Sequence, residues 1–369
     1  MRDSVEQKIE QIDALYPPER LMQSKERIRR LWYGEPILDR APFVCYPALE
    51  YYTFSPMEER LHALLDEIIF HGIVDDDFIP SIYAGCHQGS MATLFGAKSI
   101  EVYNNDVLTD THQEMLVKTI EDIDSLPEPA LLENSIPYRW LQYERWFMEQ
   151  TGYRLPVSCA ETFGPMEIAA KLMGYELLFT AAYEDQERFD RIIDLAFNAY
   201  VLFYEKQKEL CGDLFMPYSM GAHNWAPKEV TVSVSMDVMN MLSKDFFERY
   251  ALPSMRRIAD KYGPVTTHSC GSYPQLIPSI CESGCINGLF VTQMSLSDLV
   301  DAGLNRNVVA IVGVKMDEIE KTKYLADRHN LRVLMNISGM WPGRPRREWT
   351  QADIDEIRNK NERILESLR

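Results

Sequence analysis

Apolar and polar positions follow two different rhythms along this chain. Val5, Ile9, Ile12 and Leu15 are spaced for one face of a helix, and Pro17-Pro18 ends it. A second helical stretch follows with Leu21, Ile28, Leu31 and Trp32 apolar. Its Lys25, Arg27, Arg29 and Arg30 read as a solvated face, and Gly34-Glu35-Pro36 closes it. Residues 1–40 are therefore expected to form an N-terminal helical arm.

From Pro42 onward, short apolar runs alternate with longer amphipathic ones. The short runs predict strands at Pro42–Tyr46, Phe78–Tyr83, Leu155–Ala160, Leu214–Tyr218, Val265–His268, Gly288–Thr292, Val308–Val312 and Arg332–Ile337. Helical patterns separate them at 57–71, 112–124 with 137–151, 165–175 with 186–210, 243–262, 273–284, 296–303, 316–329 and 351–368. Strand–helix alternation implies parallel strands. Eight such units within residues 41–369 fit a closed (β/α)8 TIM barrel with insertions.

A barrel opens all its strand C-termini on one rim, and the chemistry gathers there. That rim should carry Cys45 and Tyr46, then Tyr83, Cys86 and His87, then Cys159 and Glu161. Tyr218, His223, Asn224 and Trp225 follow the fourth strand, and His268 and Cys270 the fifth. Gln293, Lys315 with Asp317, and Asn336 with Met340 complete the set. Cys211, Cys281 and Cys285 fall at the opposite end and read as packing residues. His62, His71, His112 and His329 lie in helical patterns and read as surface or helix-end histidines.

Composition narrows the function. A formal net charge of -18 argues against nucleic acid and against anionic membrane surfaces. Seven scattered cysteines in a chain of 369 residues suggest reduced thiols and a cytoplasmic protein. The first residues, MRDSVEQKIEQID, lack the apolar core of a secretory signal, and no run is long enough to span a membrane.

The most informative stretch is Val265-Thr-Thr-His268-Ser-Cys270-Gly271. His268 and Cys270 are two apart, so an extended backbone points both side chains the same way. An imidazole and a thiol delivered together can supply half of a tetrahedral zinc site. The competing reading is a buried histidine beside an inert core cysteine.

At this point the chain resembles the uroporphyrinogen decarboxylase superfamily, and within it the cobamide-dependent methyltransferase branch. Glu161-Thr-Phe-Gly-Pro165 with Leu172-Met-Gly174, Met241-Leu-Ser243-Lys-Asp-Phe246 with Leu252-Pro253, and His268-Ser-Cys270-Gly271 with Leu276-Ile277-Pro278 follow that family's order and spacing. The family fold is a (β/α)8 barrel. The true decarboxylases carry an arginine-bearing segment that grips substrate carboxylates, whereas Ala41-Pro-Phe-Val-Cys45-Tyr-Pro-Ala48 has no arginine. Methyltransferase members hold zinc through the His-Xaa-Cys pair and a later Gly-Cys step, where this chain has Gly339-Met340.

The resemblance implies a zinc-dependent methyltransferase moving a methyl group between a corrinoid, carried on a small partner protein, and a small thiol. His268, Cys270 and Met340 occupy the metal positions. A thioether is a poor zinc ligand, so Cys86, His87, Cys159 or Glu161 are substitutes within reach of the rim. Glu161, Tyr218 and Asn224 are the catalytic candidates, and His223, Trp225 and Asp237 the candidates for cofactor contact. Lys315 or Arg344 could pair with an anionic tail on the thiol. Three alternatives stay open: a corrinoid-linked demethylase, a decarboxylase-like lyase, and a non-catalytic corrinoid- or tetrapyrrole-binding module. Barrels of this class pair through helices, so a homodimer is the assembly to test for.

Overall fold

The structure is a computed structural model and describes residues 3–46, 57–83, 90–104, 107–160, 162–218, 225–228, 230–342 and 346–368. The chain opens with α1 (Val5–Leu15) and α2 (Pro18–Tyr33). A capping box between Ser4 and Gln7 starts α1, and Gly34, with φ +67°, ends α2 in the left-handed conformation glycine tolerates. Then come β1 (Phe43–Cys45), α3 (Met57–Val74), β2 (Ile82–Tyr83), β3 (Ser99–Asn104), β4 (Val107–Gln113), α4 (Ile136–Gln150) and β5 (Val157–Ser158). Next are α5 (Pro165–Met173), α6 (Tyr175–Glu184), α7 (Gln186–Cys211), β6 (Phe215–Met216) and β7 (Val232–Ser235). The remainder runs α8 (Lys244–Phe246), α9 (Leu252–Tyr262), β8 (Val265–Ser269), α10 (Ile277–Glu282), β9 (Ile286–Val291), α11 (Leu296–Asp301), β10 (Val309–Val314), α12 (Ile319–Arg328), β11 (Arg332–Ile337) and α13 (Gln351–Leu368).

The strands are parallel apart from the β3–β4 hairpin, and they form two arcs, β1-β11-β10-β9-β8-β7 and β2-β5-β6. Two seams join the arcs. Asp77 N donates to Phe43 O ahead of β2, and Ser235 of β7 exchanges backbone bonds with Thr162 and Gly164 beyond β5. The result is a TIM-barrel architecture in which all eight predicted strands are found.

Three features depart from the sequence reading. A ninth parallel strand, β7, lies beside β8. Residues 112 and 113, expected to start a helix, instead end a strand, 107–113, that pairs as a hairpin with 99–104. The expected helix at 112–124 is reduced to one 3-10 segment, Ile120–Ser125.

Strand residues alternate between two apolar clusters, as the period of two requires. Val309, Ile311, Leu334 and Phe290 face an inner cluster, while Ala310, Val312, Val333 and Met335 face the helices. The inner cluster is sealed by α2, whose Ile28, Leu31 and Trp32 enter it. Trp32 packs where Gly288 leaves room: a Cβ at Gly288 would lie 2.8 Å from Trp32 Cη2 and 2.1 Å from Thr266 Oγ1. Arg332 Nη1 donates to Trp32 O at 2.7 Å and Arg306 Nη2 to Gly34 O at 3.2 Å, so two cations hold the carbonyl end of α2 under the strands.

Polar groups read as solvated or surface are drawn inward: Arg27 is half-buried, and His62 and His71 are buried. Arg27 pairs with Asp77 at 2.5 Å, and Asp77 is also held by Arg40 at 2.6 Å. His71 is fully buried, stacks on Phe78 at 4.0 Å, and meets Asp76 Oδ2 through Nδ1 at 2.7 Å. Asp76 Oδ2 also accepts from Cys45 N, so this pair braces β1. Among the described residues no helix is long and apolar enough to cross a membrane.

Candidate metal centre

The site is built by strand register. β7 and β8 run parallel with Ser235 opposite His268. Two residues further along each strand direction, Asp237 comes level with Cys270. The amide of Cys270 donates to Asp237 Oδ1 at 2.8 Å, which locks the two loops together. Gly271, at φ +97°, turns the chain away immediately, and a Cβ there would lie 2.6 Å from Asn240 Nδ2. Asn240 in turn donates to Cys270 O at 3.1 Å.

One donor atom each from Asp237, His268 and Cys270 lies within 4.8 Å of the other two. Cys270 Sγ is 3.5 Å from His268 Nε2. His268 Nδ1 lies 3.1 Å from Phe290 O, an atom that can only accept, so the ring proton sits on Nδ1. Nε2 therefore presents a lone pair toward the cysteine and the carboxylate. A carbonyl that fixes the tautomer from behind is the usual support for a metal-binding imidazole. The ring also stacks on Phe290 at 4.7 Å, so Phe290 fixes its tilt as well as its proton. Cys270 is exposed, and His268 and Asp237 are half-buried. A nitrogen, a sulfur and a carboxylate oxygen form a donor set zinc accepts, and three protein ligands leave a position for a substrate.

The other predicted site residues divide clearly. Glu161, His223 and Asn224, along with Cys86, His87 and Arg344, lie outside the described residues. Tyr218 is buried in the inner cluster, edge-on to Trp32 at 5.6 Å, and its hydroxyl has no hydrogen-bond partner among the described residues. Trp225 is half-buried against the same cluster, with Lys25 Nζ 5.9 Å from its ring. Met340 is buried and packs in the outer cluster. Cys159 turns toward the helices: its thiol contacts Ala160 O at 3.3 Å, and burial, with Glu144 adding to it, lifts the thiol to about 12. Asp237, expected as a cofactor contact, is the group that stands beside the His-Xaa-Cys pair.

Tyr273 was not anticipated. It is fully buried just past Cys270, and its hydroxyl has no hydrogen-bond partner among the described residues. Burial raises its phenol well above the ordinary range, and Cys270 and Asp237 push in the same direction.

Comparison with known proteins gives the family. Residues 111–314 match the family model for uroporphyrinogen decarboxylase (URO-D), more than half of the chain. The chain belongs to the URO-D family. Its matched segment carries β5 to β10, and with them Asp237, His268 and Cys270. Among solved structures, a methyltransferase from Methanosarcina mazei is similar at 15% identity, with 92% of this chain and 98% of that chain covered and a TM-score of 0.62. A B12-independent methionine synthase from Shewanella sp. W3-18-1 is similar at 13% identity over 89% of this chain and 96% of that one, with a TM-score of 0.41. At these identities the likeness to the first is one of fold. No curated protein sequence matches the chain.

Proposed function

We propose that this URO-D family member is a zinc-dependent methyltransferase that moves a methyl group between a corrinoid, presented by a small partner protein, and a small thiol. The observation that carries the reading is the three-donor cluster of Asp237, His268 and Cys270, with the His268 proton committed to Phe290 O. A zinc ion held by these groups would supply Lewis acidity that keeps a bound thiol deprotonated at neutral pH. The protein's own contribution is positional. Phe290 holds the imidazole plane and tautomer, the Cys270 amide holds the Asp237 carboxylate, and the exposed Cys270 sulfur leaves the site open at the mouth. Below the site, Trp32 and its neighbours fill the inner cluster and keep water from approaching from underneath.

In this reading Asp237 takes the place the family gives to a second cysteine, and Met340 is a packing residue. The methyltransferase neighbour in the fold comparison favours methyl transfer over decarboxylation, as does the lack of arginine in residues 41–48. The test mixes zinc-loaded protein with methylcobalamin and a panel of small thiols. Conversion of methylcobalamin to the demethylated corrinoid, with one methyl thioether formed per corrinoid consumed, is the expected result. No conversion with any thiol, by protein that demonstrably holds zinc, would overturn methyl transfer to thiols.

A further inference from the structure

Behind Asp237 lies a buried ion-pair unit that the proposed chemistry does not use. Glu167 and Lys171 stand one turn apart on α5, and Tyr175 opens α6 just past Gly174. Glu167 is completely buried. Its Oε1 accepts from the Tyr175 hydroxyl at 2.9 Å and pairs with Lys171 Nζ at 3.2 Å. Its Oε2 accepts from Val238 N at 2.8 Å. That last bond matters, because Val238 follows Asp237 in the 3-10 segment Asp237–Met241.

A buried carboxylate is held in place by its hydrogen bonds, since losing one leaves a desolvated charge or donor behind. Here Oε1 anchors Glu167 to α5 and α6, and Oε2 transmits that anchoring to the backbone one residue beyond Asp237. The Asp237 carboxylate is thus fixed from two sides: by the Cys270 amide on its own oxygen, and by Glu167 on the peptide that follows it. Without the Glu167 acceptor, the Val238 N–H would be a buried donor and the segment would have to turn to satisfy it.

We infer that Glu167 is a positioning residue for Asp237, holding the carboxylate where it completes the donor set with His268 and Cys270. This rests on the three-donor reading of the site and deepens it. The role belongs to the hydrogen bond from Val238, and Lys171 Nζ, 3.2 Å from Oε1, helps hold Glu167 in place. A neutral pair of similar shape should then substitute.

The experiment titrates cobalt(II), as a spectroscopic stand-in for zinc, into the full chain and its variants. Glu167→Gln with Lys171→Met keeps an acceptor for Val238 N and removes both charges, so its cobalt affinity should lie within about twofold of the native protein. Glu167→Ala with Lys171→Met removes the acceptor and should lose about 10- to 100-fold. In an Asp237→Ala background, the same alanine pair should cost no more than about twofold further, because the group being positioned is gone. Equal affinities for the glutamine and alanine pairs, or a full additional loss in the Asp237→Ala background, would overturn the role. Tyr175→Phe guards against a variant that does not fold: it strips a bond from Oε1 only, and a loss of about tenfold there would contradict the assignment to Oε2. Failure of the native protein to take up cobalt would instead bring down the three-donor reading itself, which keeps the two failures apart.

Discussion

Asp237 and Met340 pose the sharpest question at the level of single residues. Met340 was a candidate for the metal and Asp237 a candidate for cofactor contact, but a thioether is a weak zinc donor and a carboxylate a strong one. Asp237→Asn keeps an oxygen for the Cys270 amide and removes the anionic donor. Zinc affinity, measured by competition with a chelating dye, should fall by at least about 100-fold in this variant and stay within about twofold in Met340→Leu. The reverse order would return Met340 to the metal. Tyr218 offers a separate test. Its hydroxyl is buried with no partner among the described residues, and an unsatisfied buried hydroxyl costs stability. Tyr218→Phe should therefore unfold in urea at the same concentration or higher, a gain of up to about 1 kcal/mol. A loss of that size would show that the hydroxyl has a partner.

Elements matter here chiefly through what holds them against the barrel. α2 enters the inner cluster with Trp32, so Trp32→Ala should cost about 3–5 kcal/mol in denaturant unfolding. A cost below about 1 kcal/mol would mean that α2 merely rests on the barrel. The end of α3 is tied to β1 by the His71–Asp76 pair. Burial works against a charge on His71, but Asp76 and Glu67 outweigh it and raise the group to about 9. The folded value is raised above the ordinary 6.5, so the stabilisation is fully present below pH 6.5 and disappears as pH climbs through about 9. Urea midpoints taken between pH 6 and pH 9 should fall across that window. In His71→Gln the midpoint should start lower and stay nearly flat. An unchanged slope in the variant would assign the pH dependence to another group.

At the scale of the whole molecule, much of the barrel could be read from the chain. Parallel strands buried on both faces leave continuous apolar runs, and Val308–Val312 and Val333-Leu-Met335 are such runs. Val230-Thr-Val-Ser-Val-Ser235 alternates as a strand does, but it lies between the fourth predicted strand and the helix expected at 243–262, where no strand was assigned. That omission concealed the third donor as well. Asp237 lies 31 residues before His268, and only the pairing of Ser235 with His268 brings it level with Cys270. The hairpin that pairs 99–104 with 107–113 did carry a signal, the alternating Ile100-Glu-Val-Tyr103, in a stretch to which no element was assigned ahead of the helix expected from residue 112. His71 could not be read as buried, because its partner Asp76 lies beyond the end of its own helix and the cover comes from Phe78. The His-Xaa-Cys pair was legible because two residues on one strand need no tertiary contact to face the same way.

Zinc content tests the central claim most directly. The purified native protein, incubated with excess zinc and passed through a desalting column, should retain about one equivalent, as a single three-donor site requires. Cys270→Ala, treated identically, should retain almost none. Native protein that keeps no zinc, or a Cys270→Ala variant that keeps as much as the native chain, would contradict the account.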